Sequence, residues 1–167
     1  YGAPTAGREY NNVELSERTL REDYLPAYEA AIKAGSAMVM TSFNTLDRIP
    51  ATANQWLMRK VLREEMGFEG VLVSDYNAVG ELINHGVAQN KQEAAKQAIE
   101  AGTDLDMMGG CYITELENLV KSGQISEELI DQAVLRILKL KNKLGLFENP
   151  YRGLDSQTLE GVYFYNK

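Results

Sequence analysis

The chain has little of the side-chain chemistry that disulfides, zinc sites and catalytic triads require. Its 167 residues include one cysteine and one histidine. Cys111 alone excludes an internal disulfide and any zinc site built from several cysteines. His85 alone excludes an HExxH zinc helix and every site that needs two imidazoles. A Ser-His-Asp triad would have to run through His85, and no GxSxG turn is present to expose a serine. The motifs GxxxxGK[ST] and GxGxxG are also missing, so nothing supports nucleotide binding. No apolar stretch approaches the ~18 residues of a membrane span. The opening Tyr1-Gly2-Ala3-Pro4 lacks the basic and then apolar character of a secretion signal, and suits a mature product or an internal piece.

Charge narrows the field further. Against 24 acidic side chains stand 17 basic ones, a net charge of −7 with the basic groups scattered among acids. That distribution argues against a nucleic-acid partner, which calls for clustered Lys and Arg. With 44% hydrophobic and 25% charged residues, the composition is that of an ordinary globular domain and too apolar for disorder. What remains is chemistry carried by carboxylates, or no chemistry at all.

Three short apolar runs organise the chain: Ala37 to Ser42, Gly70 to Asp75, and Gly102 to Met107. The first two are continuous rather than alternating and read as buried parallel strands; two acids interrupt the third. From Ala37 to Gly70 and from Gly70 to Thr103 the repeat is 33 residues, the length of one β/α unit. Helical patterns fill the gaps. Ser16, Asn54, Asn90 and Ser126 stand where N-caps belong, and Gly35, Gly67, Gly102, Gly123 and Gly145 where helices end. Pro26 should bend or divide the first helix. Tyr112 to Lys121 and the segment after Ser126 read as two more helices. The tail from Tyr151 has no periodicity. The expected fold is therefore α/β, with residues 1–150 as the folded part and 151–167 as a linker or tail. A closed (β/α)8 barrel needs ~200 residues or more, so the alternatives are a small open sheet or part of a barrel.

Function in parallel α/β folds gathers beyond the carboxyl ends of strands. Here those positions are Ser42, Phe43 and Asn44, then Asp75 and Tyr76, then Asp106, Met107 and Met108. Asp75 follows a rigid apolar strand. A carboxylate so placed can bind a metal, take a proton or attack an electrophilic carbon; it can equally cap a following helix or bind loop amides. Phe43, Tyr76 and the Met pair form either an apolar rim suited to sugar rings or simple loop packing. Asp104 and Asp106 flank Leu105 and so point to opposite faces.

The stretch Gly67-Phe68-Glu69-Gly70-Val71-Leu72-Val73-Ser74-Asp75-Tyr76 resembles the nucleophile strand of glycoside hydrolase family three, the β-glucosidase family. Val39 to Asn44 followed by Pro50 to Asn54, Ala101 to Met107, Gly123-Gln124-Ile125 and Leu144 to Tyr151 are similar to its flanking segments in the same order. Tyr1-Gly2-Ala3 and Glu9-Tyr10-Asn11 look like the text that follows the family's Lys-His-Phe segment. The resemblance implies three strands and their helices from the second half of a (β/α)8 barrel, and a retaining β-glucosidase chemistry with Asp75 as nucleophile and no metal or cofactor. It implies that Met40, Phe43 and Tyr76 shape the sugar pocket, Tyr76 standing where the family usually has Trp. Two carboxyl groups about 5–5.5 Å apart are needed for retention. The implied partners are a β-glucoside or oligosaccharide substrate, the remaining barrel strands, and a second domain supplying the acid/base Glu; Glu160 in the tail has no pattern that marks it for that role. The resemblance also points to a periplasmic or secreted location. The competing reading is a non-catalytic α/β module that binds a companion chain through its unpaired sheet edges.

Overall fold

A computed structural model describes residues 4–151 of the chain. The expected tail lies, from residue 152 onward, outside the described residues.

The predicted strand starts become a parallel layer. Strand β1 (Asn12–Val13) belongs to a small outer sheet; strand β2 (Met38–Met40) belongs to the main one. Strands β3 (Thr45–Leu46) and β4 (Ile49–Pro50) form a hairpin, and β5 (Val71–Val73) lies beside β2. The β2–β5 pairing is parallel, in the register Met38↔Val71, Val39↔Leu72 and Met40↔Val73. The third run contributes one parallel bridge, Val73↔Leu105, instead of a full strand. Asp104 and Asp106 shorten it because each is drawn into a polar contact that a regular strand would not supply. In the outer sheet β1 runs parallel to β3, matching Asn12 with Thr45 and Val13 with Leu46.

Helix boundaries follow the caps. Ser16 accepts from Thr19 N–H ahead of α1 (Glu17–Thr19). After a π-wound turn, Leu20–Tyr24, the chain continues as α2 (Leu25–Lys33), with Pro26 in its first turn. That is the division Pro26 predicts, since a proline lacks the N–H an inner helical turn would use. Asn54 accepts from Leu57 N–H at 3.0 Å and opens the helix Trp56–Glu65, which is π-wound throughout. Asn90 caps α3 (Lys91–Ala101), α4 spans Cys111–Lys121, and Ser126 caps α5 (Glu127–Lys143). No helix among the described residues is long and apolar enough to cross a membrane.

Two buried clusters hold these elements. One joins Leu20, Leu25, Leu57, Val61 and Leu62 to Phe68 and Leu72; the other packs Ala94, Ala95, Ala98 and Ile99 of α3 against Leu119 and Ala133 of the next two helices. The expectation that β2 is buried is corrected: Met38 and Met40 are 44% and 50% exposed, while Val39 between them packs on the first cluster. Alternate residues of a strand face opposite sides, and the side that carries the two methionines has no cover here. At Gly70 any side chain would collide with the Ala37 carbonyl and the Phe68 ring, so only glycine lets the strands approach there.

Asp104 is a buried hub. Its side chain is 1% exposed and accepts from Arg63 Nη2 at 2.7 Å, Arg136 Nη1 at 2.8 Å and Leu72 N–H at 2.9 Å. Removing one partner of such a pair strands the other charges in a dry site. Asp104→Ala is expected to cost about 3–5 kcal/mol, read as a fall in the urea midpoint. A gain is expected at the β3–β4 turn, where Asp47 and Arg48 both have positive φ (49° and 68°), the geometry of a type I′ hairpin. Arg48→Gly should raise stability by about 1 kcal/mol by relieving that geometry, seen as a higher urea midpoint.

Candidate active site

The register of β2 on β5 sends both chains off the sheet at the same edge. Thr41 N–H donates to the Val73 carbonyl, and Ser74 N–H to the Leu105 carbonyl, each at 2.9 Å. Ser74 Oγ accepts from Met107 N–H at 2.9 Å, and Asn77 N–H donates to the Met107 carbonyl at 2.7 Å. The loops after β5 and after Leu105 are thus laced together, and Asp75 sits in the first of them.

Asp75 is half-buried. Its Oδ1 accepts from Tyr76 N–H at 2.6 Å, while its own carbonyl accepts from Ser74 Oγ and from Ala78 N–H. The chain therefore turns immediately after it, with Asn77 at φ 57°. Oδ2 accepts no hydrogen bond from the described residues. Asp75 does bind a loop amide, and no helix among the described residues uses its side chain as a cap. One tethered oxygen and one open oxygen leave a carboxylate aimed by its backbone and still able to react.

The other expected site residues are distributed unevenly. Phe43, in the loop after β2, stacks on Tyr10 with centroids 4.6 Å apart and planes 27° apart. Tyr76 is 59% exposed beside Asp75. Met40, on the face of β2 that also carries Val73 of β5, borders an open apolar cavity lined further by Leu25, Tyr28, Leu57 and Met66. Asp75, Phe43 and Tyr76 do not line that cavity. An enclosure so poor in polar groups is no sugar site by itself.

Two residues at this rim were not singled out from sequence. Tyr10 reaches it because β1 pairs with β3: extending the register Asn12↔Thr45 back by two residues brings Tyr10 opposite Phe43. Its hydroxyl donates to Glu81 Oε1 at 3.4 Å. Partial burial and then the negative charge of Glu81, with smaller contributions from Glu9 and Asp75, push the Tyr10 phenol up from its ordinary pKa. Glu81 opens from the turn Gly80–Leu82 that follows the Asp75 loop, and its Oε2 is buried without a hydrogen-bond partner. The only advance signal for either was an aromatic and an acid in text flanking the rim. Asp106, a rim position in the sequence, is occupied elsewhere: its Oδ2 accepts from Cys111 and Tyr112 N–H and caps α4. Cys111 is buried, and burial raises its thiol pKa, so it is no nucleophile at neutral pH.

Comparison with known proteins bears on the family and the fold. Residues 1–140 match the family model for the glycosyl hydrolase family 3 N-terminal domain. The chain is 43% identical over 162 residues to the periplasmic beta-glucosidase of Salmonella typhimurium, covering 97% of this chain and 21% of that protein. It is 41% identical over 156 residues to a beta-xylosidase of Formosa agariphila, covering 88% of this chain and 22% of that protein. The crystal structure of beta-glucosidase from Listeria innocua in complex with isofagomine superposes with a TM-score of 0.90 at 60% identity, over 92% of this chain and 22% of that one. The same Listeria enzyme has been crystallised with glucose and, as a mutant, with laminaribiose. The chain thus spans about a fifth of the length of the relatives it matches. Its parallel strands and helices are part of their barrel-type α/β domain, and the chain belongs to the glycosyl hydrolase family 3 N-terminal domain family.

Proposed function

We propose that the chain works within a retaining β-glucosidase, releasing terminal β-D-glucosyl residues with Asp75 as the nucleophile. The observation that carries this reading is the Asp75 carboxylate at the carboxyl rim of β5, tethered through Oδ1 to Tyr76 N–H and open at Oδ2. In the first step a carboxylate oxygen of Asp75 bonds to the anomeric carbon. The bond from that carbon to the departing oxygen breaks as an acid/base carboxyl group delivers its proton there. In the second step that group takes a proton from water, whose oxygen attacks the anomeric carbon and frees Asp75, restoring the original configuration. The acid/base residue and part of the sugar-binding surface come from outside this chain, in the other barrel strands and a second domain. Carboxylates carry both steps, with no cofactor in the scheme.

Glucosyl rather than xylosyl specificity is favoured by the Salmonella and Listeria relatives, which are named beta-glucosidases. Met40, Phe43 and Tyr76 are the pocket residues of this reading, and Tyr76 keeps an aromatic face at the leaving-group side. A periplasmic location is supported by the name of the Salmonella relative.

Asp75→Asn in the complete enzyme should lower kcat on an aryl β-glucoside by about 10³-fold or more. A 2-deoxy-2-fluoroglucosyl inactivator should label the Asp75 peptide in mass spectrometry; a label on any other residue overturns the assignment. The 167-residue chain alone should show no measurable turnover of the same substrate, because on this reading the proton donor comes from outside it. Robust turnover that is lost in Asp75→Asn would place the whole site within it.

A further inference from the structure

The rim holds a feature that the double displacement does not use. Tyr10 has a φ of 68°, a strained backbone state for an L-residue of its bulk that persists only where surrounding contacts impose it. Those contacts are identifiable. The ring lies on Phe43, from the loop after β2, and the hydroxyl reaches Glu81, from the turn after the Asp75 loop. One side chain so spans the two rim loops that flank the candidate nucleophile. It nevertheless stays 43% exposed at the rim.

We propose that Tyr10 forms an aromatic wall for the pyranose ring held against Asp75, and that Glu81 is the positioning residue that keeps this wall upright. The inference rests on the reading that a sugar binds beside Asp75. The chemistry fits a pyranose: its axial C–H groups present an apolar face to an aromatic ring, while its hydroxyls turn toward polar groups. Phe43 alone has no polar handle to set its orientation; Tyr10 stacked on it does, through the phenol. The tether also explains why an acid stands at position 81. At 3.4 Å the contact is a long one, and the negative charge of the carboxylate sets the direction in which the phenol points. The assignment differs from that of Phe43 and Tyr76 in drawing on the segment before the first helix, which the β1–β3 register delivers to the rim.

The test is calorimetric binding of glucose to the complete enzyme, with thermal unfolding measured in parallel. Tyr10→Ala should weaken glucose binding about tenfold. Glu81→Ala, which keeps the ring and frees it, should weaken binding about threefold, and Glu81→Gln, which keeps an acceptor, should restore it. A merely structural role would lower Tm and leave the dissociation constant of the folded protein alone. Should Tyr10→Ala fail to fold, the Glu81 pair decides: loss in Glu81→Ala with rescue in Glu81→Gln supports the wall. Binding within twofold of wild type in a folded Tyr10→Ala, or in Glu81→Ala, overturns it, as does a wild-type enzyme that binds no glucose. Labelling of Asp75 reports separately. A labelled Asp75 with unchanged binding in Tyr10→Ala removes the wall and leaves the nucleophile; an unlabelled Asp75 with the tenfold loss does the reverse.

Discussion

Everything at the rim depends on how β5 is held, and β5 is held by the carboxylate of Asp104. A strand of three residues flanked by a single bridge at Leu105 has few ladder bonds of its own. Asp104 makes up the deficit by a reciprocal exchange with Leu72. Its N–H donates to the Leu72 carbonyl at 2.8 Å, and its Oδ2 accepts from Leu72 N–H at 2.9 Å. The same carboxylate draws in Arg63 from the helix before β5 and Arg136 from α5. One buried anion therefore ties strand, preceding helix and last helix together, and Asp75 leaves the sheet three residues beyond Leu72.

The arginines around that anion outnumber it, and the surplus charge is spent on backbone carbonyls. Arg63 also donates to the carbonyls of Phe68, Gly70 and Gly102, and Arg59 to those of Ile99 and Glu100. The last group lies at the C-terminus of α3, where unpaired carbonyls and the helix dipole favour a cation. Burial lowers the pKa of both Arg59 and Arg63, with the neighbouring guanidinium of Arg136 adding to it, yet an arginine stays protonated across any working pH. A lysine at either position would offer fewer, less directed donors and a charge more easily lost on burial. This cluster lies at the amino end of β5, away from the rim, so it sets where Asp75 stands without entering its chemistry.

What the sequence made legible was local and periodic. Asn54, Asn90, Ser16 and Ser126 each cap the helix expected of them because a short polar side chain before an apolar repeat has one favourable use. The apolar runs marked β2 and β5, and Asp75 was visible as an acid directly after one. Non-local facts were not legible. The β3–β4 hairpin turns on Asp47-Arg48, a pair without the Asn-Gly or Asp-Gly signature of such turns, and its strands are two residues long. The π winding of Trp56–Glu65 leaves the apolar spacing readable as an ordinary helix. Tyr10 became a rim residue only through pairing between segments 33 positions apart, Asn12 with Thr45. Asp104 looked like an interruption of a strand; an acid within an apolar run is equally the mark of a buried ion pair, but its arginines lie 32 and 41 residues away.

The uneven exposure of the main sheet bears on how a sugar could be enclosed. Met38, Met40, Val71 and Val73 share one face, since paired residues of neighbouring strands point the same way. On β5 that face is buried, yet on β2 it is open. Val39 and Leu72 on the opposite face both pack against helices. Helices thus cover this side at Val39 and Leu72, and what is missing is cover over the β2 half of the inner face. Any group that closes over Met40 there meets the rim on the side away from Leu105, next to Phe43 and Tyr10. On the reading proposed above, the strands that supply this cover also supply the polar grip on the sugar. On that reading the side chains provided here divide into a carboxylate that reacts and aromatic faces that receive the ring, and the proton donor that completes a turnover belongs to the parts that close over this face.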